Sequence, residues 1–260
     1  MTIYNSIGQS YSKFRVPDSR IVESIVNLLQ LEPESLVADI GAGTGNYSIA
    51  IANRGFFIYA IEPSSVMTAQ AIEHPQVKWF NGYAEAIPLP TSSVDAVISI
   101  LATHHFSNLE KAITEMNRIA KSGAILFLTF DSRVNEKPWI ADYFPSLWKE
   151  TFDIFPPLND VAMLFQATTQ RTVEIYPFLL PSDLTDMFFV AGWRRPEIYL
   201  NPDIRAGISA LALADTNVVE RGVNLLEEDL NSGRWDAKYG EIRKLREIDA
   251  GYRFLCAKIA

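Results

Sequence analysis

Three glycines at alternate positions follow an acidic residue at the end of an apolar run. The run spans 36–40 and contains Asp39, and the glycines after it are Gly41, Gly43 and Gly45. A short apolar run is typical of a buried parallel strand, and apolar residues at helical spacing follow in 46–53. Glycine lets the main chain turn sharply and approach a ligand closely because it has no Cβ atom. The pattern therefore predicts a nucleotide-type ligand bound between a strand end and a helix N-terminus.

Two acidic residues and one asparagine narrow the chemistry of this ligand. Glu62 ends a second apolar run, where a carboxylate can accept hydrogen bonds from both hydroxyl groups of a ribose. The dinucleotide-binding fingerprint requires its third glycine at the position of Asn46. Asp39 within the turn is unfavourable beside a pyrophosphate, but it suits an ammonium group, directly or through water. S-adenosylmethionine carries an ammonium group and a ribose without phosphate, so it is the predicted ligand.

Five apolar runs must supply the strands that position these residues. They span 36–40, 57–61, 77–80, 96–100 and 124–130, and helical patterns lie between them. This alternation predicts a parallel sheet covered by helices on both faces. An early helix is expected after Asp18 or Ser19, and another begins at Ser107, where Ser107 and Glu110 predict a capping box.

Length and composition exclude several classes of protein. The chain of 260 residues suffices for one α/β domain of ordinary size with additions. A net charge of -8 repels nucleic-acid phosphates, and no run of Lys or Arg indicates a nucleic-acid surface. Cys256 is the single cysteine, which excludes an internal disulfide and a multi-cysteine metal site, so no metal is expected. With neither a signal-peptide pattern nor a membrane-length apolar run, the expected compartment is the cytoplasm, without membrane insertion.

Four sequence blocks resemble the class I S-adenosylmethionine-dependent methyltransferases, particularly the small-molecule branch (methyltransferase type 11) of ubiquinone/menaquinone and sugar O-methyltransferases. The blocks are YNSIGQSYSKFR, DIGAGTG, GYAEAIPLPTSSVDAVIS and LATHHFSNLEKAITEMNRIAKSGAILFLTF. The resemblance implies a Rossmann-like, doubly wound α/β fold with a seven-stranded, mostly parallel sheet, an antiparallel final strand and helical insertions. It also implies methyl transfer from S-adenosylmethionine to a small molecule, with S-adenosylhomocysteine as product.

The resemblance also assigns residues to the cofactor. Asp39, Gly41 and Gly43 are expected around the methionine end, Glu62 at the ribose, and Arg15 at the methionine carboxylate. Residues from the N-terminal block and from later loops are expected to complete the site: Tyr11, Pro63, Met67, Tyr83, Ala84, Ile100, Leu101 and His105. Tyr83 stands where relatives often carry the Asp that contacts the adenine amine, so its ring or hydroxyl is expected to replace that contact.

Two histidines follow the fourth apolar run, at the edge where the transferred methyl group is expected. Histidine titrates near neutral pH, so His104 or His105 can remove a proton from an acceptor hydroxyl. In sugar O-methyltransferases of similar sequence, the first histidine and an acid after the fifth strand serve the acceptor, which implies catalytic roles for His104 and Asp131. A base is optional because a sulfonium methyl group is already activated. Oxygen is the favoured acceptor atom over nitrogen or carbon.

The second half of the chain is less regular. Aromatic residues in 138–155 predict either an amphipathic helix or a lid that lines the substrate site. A helix is expected from Ser182 to Gly192, then a strand around 196–200. The last two strands of the resembled fold form a hairpin, so the charged segment 201–248 is expected to be a helical insertion before a final strand at 252–259.

We expect one methyltransferase domain over the whole chain. Its cofactor-binding core would span about 20–130, with substrate or cap segments at about 1–19, 132–180 and 201–248. The expected partner is a small-molecule acceptor, and 201–248 would shape its pocket or a homodimer contact. Two alternatives stay open: a cofactor-binding regulatory or assembly protein without transfer activity, and a nicotinamide-dependent oxidoreductase, which Asn46 disfavours.

Overall fold

The fold is organised around a central sheet, as seen in a computed structural model that describes residues 14–133 and 137–259. The strands in these ranges are β1 Leu36–Ile40, β2 Phe57–Ile61, β3 Val77–Phe80, β4 Ala96–Ile100, β5 Ile125–Phe130, β6 Thr172–Pro177, β7 Leu180–Pro181, β8 Glu247–Ile248 and β9 Tyr252–Lys258. Among the described residues, seven strands form the main sheet in the order β3-β2-β1-β4-β5-β9-β6, and β7 pairs with β8. Strand β9 is antiparallel to both of its neighbours. The predicted Rossmann-like sheet, mostly parallel with an antiparallel final strand, is confirmed.

Helices cover both faces of this sheet. They are α1 Ser19–Leu29, α2 Asn46–Ala52, α3 Ser65–Thr68, α4 Leu109–Ile119, α5 Ile140–Tyr143, α6 Pro145–Ile154, α7 Leu158–Thr169, α8 Pro202–Gly207, α9 Ser209–Ala212, α10 Thr216–Asn231 and α11 Arg234–Tyr239. Short 3-10 helices occupy Thr103–His105, Pro196–Leu200 and Gly240–Lys244. Over the residues described, none of the helices is both long and apolar enough to cross a membrane.

Alternate residues of the central strands pack into two separate cores. Val37 and Ile98 face the core that contains α1 and α2, whereas Ala38 and Val97 face the core that contains α4 and α7. Burial on both faces explains why these strands are continuous apolar runs in the sequence. Cys256 is fully buried in β9, as expected for a packing residue.

The topology creates a crevice at the carboxyl edge of the sheet. Strand β1 pairs with β2 on one side and with β4 on the other, so the chain connections diverge from β1 in opposite directions. Ligands of open α/β sheets bind at such a switch point, beyond the carboxyl ends of the strands. The glycines after β1 and the histidines after β4 are therefore brought to the same edge.

One of the two predicted helix starts is confirmed and the other is wrong. Asp18 caps α1, and its side chain accepts a hydrogen bond from the Arg20 amide over 3.0 Å. The capping box at Ser107 does not form, because α4 begins at Leu109 and is capped by Asn108. The Ser107 hydroxyl instead donates to Glu85 Oε1 over 2.9 Å. Ser107 thus bonds to Glu85, which is distant in sequence, instead of capping the helix that follows it.

The helix predicted from Ser182 to Gly192 is also wrong. Asp186 there pairs with Arg15 in a β-bridge, and the Met187 amide donates to the Phe14 carbonyl over 3.1 Å. These bonds to the N-terminal segment take the place of helical hydrogen bonds. The strand predicted at 196–200 is likewise wrong, since Pro196–Leu200 forms a 3-10 helix.

The edge strand β6 pairs with β9 on the side away from β5. The sequence predicted instead that these residues belong to the cap segment 132–180. Most side chains of β6 are exposed or half-buried, and as an edge strand it tolerates Pro177, which has no amide hydrogen. The predicted helical character of 201–248 is confirmed by α8 to α11. The helix predicted in 138–155 is divided into α5 and α6 at Phe144, because Pro145 starts a new helix.

Candidate active site

The turn after β1 depends on glycine at each of its three alternate positions. Gly41, Gly43 and Gly45 all have positive φ, at +75°, +59° and +76°. A Cβ atom on Gly41 would lie 2.7 Å from Ala102 Cβ, and one on Gly45 would lie 2.5 Å from Trp79 Cζ2. Both the backbone conformation and the close neighbours therefore exclude larger residues.

Glu62 connects the end of β2 to this turn. Its Oε2 accepts the Gly43 amide over 3.0 Å and its Oε1 accepts the Ser64 amide over 2.8 Å. Burial raises the pKa of the Glu62 carboxyl, and the two backbone hydrogen bonds oppose that shift. Each oxygen can accept more than one hydrogen bond, so an anchored Glu62 can still receive hydroxyl groups.

Asp39 lies behind the glycine turn, only 2% exposed and outside the cavity wall formed by the described residues. Its Oδ2 accepts the Ser48 hydroxyl over 2.6 Å. Burial raises the pKa of Asp39 to about 7; the nearby Glu62 charge adds to the shift, and the Ser48 hydrogen bond opposes it. Asp39 can therefore act on a ligand only through its field or an intervening group, rather than by lining the cavity.

A cavity of about 420 Å³ opens at the carboxyl edge. Twelve of the predicted site residues line it: Arg15, Gly41, Gly43, Glu62, Pro63, Met67, Tyr83, Ala84, Ile100, Leu101, His104 and His105. Tyr11 lies outside the described residues. The arrangement brings residues that are distant in sequence to one site, as the strand order requires.

Leu101 has a backbone conformation that is uncommon for a residue with a side chain. Its φ is +51°, and its amide donates to the Leu128 carbonyl of β5 over 2.8 Å. This conformation ends β4 abruptly and starts the connection to the 3-10 helix Thr103–His105. Unusual backbone conformations of this kind tend to be kept where they position functional groups.

The two histidines lie side by side in the cavity wall, with their ring planes tilted by 48°. Their ring centroids are 3.8 Å apart, and the His104 ring lies 4.5 Å from that of Phe155. Burial lowers the pKa of His104 well below its usual range, and the charges of His105 and Arg15 add to this effect. Burial, with the Arg15 charge, lowers the pKa of His105 to about 4. Both imidazoles are thus neutral at pH 7, and each keeps one ring nitrogen that can accept a hydrogen bond.

His104 Nδ1 is buried and has no hydrogen-bond partner within residues 14–133 and 137–259. Buried polar atoms are nearly always paired in folded proteins, because an unpaired one loses its hydrogen bonds to water. An unsatisfied imidazole nitrogen beside a cavity is therefore well suited to a ligand hydroxyl group.

Asp131 follows β5 but does not join this group in the wall that the described residues form. It is 4% exposed, and its Oδ1 and Oδ2 accept the amides of Arg133 and Leu158 over 2.9 and 2.8 Å. Leu158 is the first residue of α7, whose preceding residue makes no side-chain cap. In the structure the Asp131 carboxylate thus completes the N-terminus of α7.

Comparison with known proteins identifies the family. A family model described as a methyltransferase domain matches residues 38–128. A crystal structure from Anabaena variabilis, of a protein assigned as a methyltransferase from an antibiotic biosynthesis pathway, is 57% identical. It has a TM-score of 0.94 and is matched over 95% of this chain and 100% of its own. This chain belongs to the S-adenosylmethionine-dependent methyltransferases.

More distant methyltransferases are less similar in sequence. An uncharacterized methyltransferase of Mycobacterium tuberculosis is 28% identical over 155 residues, which cover 58% of this chain and 62% of that protein. The chain thus spans about three fifths of the length of this curated relative. A phosphoethanolamine N-methyltransferase of Haemonchus contortus, crystallised with S-adenosyl-L-methionine, is 16% identical with a TM-score of 0.62 over 96% of this chain and 56% of that one. At that identity it shows the same fold.

The methyltransferase cavity also contains residues that the sequence reading did not select. They are Ala42, Thr44, Asn46, Tyr47, Gly82, Glu85, Ala102, Phe106 and Ser107. Each lies within a few positions of a strand's carboxyl end, so the predicted strand ends were a signal that could have found them. Ser107 was instead assigned to a helix cap. The predicted cofactor, S-adenosylmethionine, is the one that the family uses.

Proposed function

We propose that this methyltransferase transfers the methyl group of S-adenosylmethionine to a small-molecule acceptor, with oxygen as the acceptor atom. The observation that carries the proposal is one cavity that contains both a ribose-type carboxylate, Glu62, and two neutral imidazoles, His104 and His105. The carboxylate suits the nucleoside end of the cofactor, and the imidazoles suit an acceptor that loses a proton. The cavity thus contains groups that suit the methyl donor and groups that suit the methyl acceptor.

The cofactor would lie along the carboxyl edge of the sheet. In this proposal, Glu62 accepts the ribose hydroxyls while its bond to Gly43 holds the glycine turn against the methionine end. Pro63 and Met67 pack against the adenine, with Tyr83 and Ala84 at its edge and the backbone of Ile100 and Leu101 near the methionine. Asp39 acts from behind the turn, where its charge attracts the cofactor ammonium group.

The chemical step needs little from the protein beyond alignment and a proton acceptor. The acceptor oxygen attacks the methyl carbon as the carbon–sulfur bond breaks, and the sulfur leaves with the bonding electrons as a neutral thioether. In this proposal His104 accepts the acceptor proton: its lowered pKa leaves the imidazole deprotonated at neutral pH but also makes it a weak base, so proton transfer accompanies methyl transfer rather than precedes it. In-line alignment supplies much of the rate, since the sulfonium methyl group is already activated.

Aromatic side chains beside His104 favour an apolar or ring-bearing acceptor. Phe155 contacts the His104 ring, and its centroid lies 5.3 Å from that of Phe130. The cavity wall itself contains the rings of Tyr83 and Phe106, whereas Phe155, Phe130 and Trp148 lie outside its lining. Sites for small organic molecules are commonly lined by aromatic groups with few polar ones. The assignment of the Anabaena relative to antibiotic biosynthesis also supports a small organic acceptor.

The arrangement of the chain supports one domain with a cofactor core and substrate-side additions. In this proposal, the core at about 20–130 binds the cofactor, and 132–180 and 201–248 are substrate or cap segments; Phe155 of the first of them contacts His104, while no described residue of either lines the cavity. Asp186, from the connection between β7 and α8, is bonded to Arg15 of the cavity wall, which shows how a later segment can influence the core.

Calorimetric titration with S-adenosylmethionine and S-adenosylhomocysteine, using NAD as the control ligand, tests the cofactor assignment. We expect saturable binding of the first two alone. Turnover is then followed as S-adenosylhomocysteine formed in the presence of hydroxylated aromatic compounds and sugars. Preferential NAD binding would contradict the proposal, and cofactor binding without turnover on any acceptor would favour a regulatory or assembly role.

A further inference from the structure

A buried carboxylate, Asp186, joins three segments of the chain beside the cavity. The Asp186 side chain is 0% exposed and accepts hydrogen bonds from Arg15 Nε at Oδ1 and from Arg15 Nη2 at Oδ2, the latter over 3.3 Å. Its Oδ2 also accepts the Tyr47 hydroxyl over 2.9 Å. Arg15 precedes α1, Tyr47 lies in α2 directly after the glycine turn, and Asp186 belongs to the connection between β7 and α8.

The pairing fixes the position of the Arg15 guanidinium. Two donors on one edge of the guanidinium meet the two oxygens of a single carboxylate, which defines the plane of the group as well as its distance. Separation of Asp186 from Arg15 would be strongly unfavourable, because it would leave a buried charge without its partner. The Asn46 side chain also donates to the Arg15 carbonyl over 2.7 Å, which holds the Arg15 backbone against α2.

The guanidinium held in this way belongs to the cavity. Arg15, Asn46 and Tyr47 all line it, together with the glycine turn. The Arg15 charge contributes to the lowered pKa of both His104 and His105, so it acts on the same space as the imidazoles. Arg15 is thus a fixed positive charge near the end of the cavity where methyl transfer is proposed.

We propose that Asp186 is a positioning residue that, together with Tyr47, holds Arg15 to receive the carboxylate of the cofactor's amino-acid end. The inference rests on the proposed function, because it requires S-adenosylmethionine in the cavity. The cofactor carries its only carboxylate at the amino-acid end, and Arg15 can meet it with guanidinium donors. Asp186 offsets the guanidinium charge and prevents the long side chain from taking other orientations.

Two ligands separate this role from a general effect on folding. S-adenosylhomocysteine carries the amino-acid carboxylate, whereas 5′-methylthioadenosine has the same adenosine and sulfur without it. We expect Asp186→Asn to weaken binding of S-adenosylhomocysteine by about tenfold or more, because the charged hydrogen bonds that orient Arg15 are lost. The affinity for 5′-methylthioadenosine should be unchanged. Both affinities are measured by calorimetry on the full chain.

Asp183→Asn is the matched control. Asp183 lies three positions earlier in the same connection, but its side chain is 78% exposed and pairs with Arg20 at the surface over 2.7 Å. This variant should bind both ligands as the unchanged chain does. Tyr47→Phe removes one hydrogen bond to Asp186 and leaves the ion pair, so a smaller loss confined to S-adenosylhomocysteine is expected.

Equal weakening of both ligands by Asp186→Asn, or no weakening of either, would overturn the inference. If that variant does not fold, Tyr47→Phe decides, since it loosens Asp186 without changing Arg15 and should still give a loss confined to S-adenosylhomocysteine. If the unchanged chain binds neither ligand, the proposed function itself is wrong and the inference fails with it. Binding of S-adenosylhomocysteine that these substitutions do not alter would reject the inference alone.

Discussion

The Gly43 amide donates a hydrogen bond to Glu62 Oε2 over 3.0 Å, so the turn after β1 and the carboxylate after β2 form one unit. Neither residue can move without changing the position of the other. The glycine turn therefore has a side-chain support in addition to its backbone conformation. Because Glu62 is anchored before it meets a ribose, less side-chain entropy is lost when a ligand binds.

Gly43→Val is expected to abolish cofactor binding while the sheet stays folded. A β-branched residue is strained at a φ of +59°, and its Cβ would lie 3.3 Å from Met67 Cε in the cavity wall. Relief of that strain would move the amide of residue 43 and disturb its hydrogen bond to Glu62. Calorimetry with S-adenosylhomocysteine measures the loss, and circular dichroism checks the fold. Gly55→Val is the control, since Gly55 also has positive φ but lies outside the lining residues; retained affinity in Gly43→Val would contradict the site.

Asp39→Asn is expected to stabilise the folded protein at neutral pH. Burial raises the pKa of Asp39 from 3.8 to about 7, so the unfolded chain releases the proton at lower pH than the folded chain. Stability should therefore fall as pH rises from about 4 to about 7 and should not fall further above that range. Asparagine cannot ionise, so the gain in melting temperature should be largest above pH 7 and small below pH 4.

Asp95→Asn is expected to change stability at neutral pH in the opposite direction from Asp39→Asn. Although burial acts against it, hydrogen bonds from Lys121 and the Leu36 amide lower the pKa of Asp95 below 3.8. The ionised Asp95 stabilises the fold at pH values above the pKa that Asp95 has in the unfolded chain. This stabilisation is lost as pH falls through the lower pKa that Asp95 has in the folded chain. Asp95→Asn should thus lower the melting temperature at neutral pH. A loss of stability in Asp39→Asn at neutral pH would refute the raised pKa.

His104→Asn is expected to lower kcat by about a hundredfold or more if the imidazole accepts the acceptor proton. The affinity for S-adenosylhomocysteine should change little. The lowered pKa of His104 also predicts that kcat of the unchanged chain stays constant as pH falls through 6.5. Steady-state kinetics from pH 8 to 6 measures both effects. His74→Asn is the matched control, because His74 contacts Asn53 outside the cavity lining; an unchanged kcat in His104→Asn would exclude the base.

Asp131→Asn is expected to affect stability more than catalysis. An asparagine offers one acceptor oxygen where the Asp131 carboxylate serves the amides of both Arg133 and Leu158. The loss at the start of α7 should cost about 1–2 kcal/mol in the free energy of unfolding, measured in urea. A large fall in kcat at unchanged stability would instead support the acceptor-side role that the family resemblance implies.

The core of the sheet could be predicted closely from the sequence, whereas its edge could not. Strands β1 to β4 match the predicted ranges, and β5 differs by one residue, because burial on both faces leaves uninterrupted apolar runs. All six residues of β6 are exposed or half-buried and the strand ends in Pro177, so its sequence carried no comparable apolar signal. The helix predicted at 182–192 failed because Asp186 and Met187 bond to residues far away in sequence. No local pattern contains that information.

The site was predictable where residue type alone limits the chemistry. The glycine turn and Glu62 were found from spacing, and the structure places them in one wall. Asp39 was expected in that wall from its position near the end of a strand, but it lies behind the wall. The sequence does not show which way a side chain at a strand end points. Asp186 had no sequence signal at all, since its importance depends on contact with Arg15 and Tyr47.

The connection between β6 and β9 leaves and rejoins the sheet at one point, where the Phe178 amide donates to the Tyr252 carbonyl over 2.9 Å. Because its two ends are adjacent, residues can be inserted or deleted within 179–251 without shifting the register of either strand. The length of this connection is therefore not fixed by the pairing of the sheet. A constraint on the methyl-donor side is Asp186, whose contacts with Arg15 and Tyr47 must be kept if the surrounding residues change.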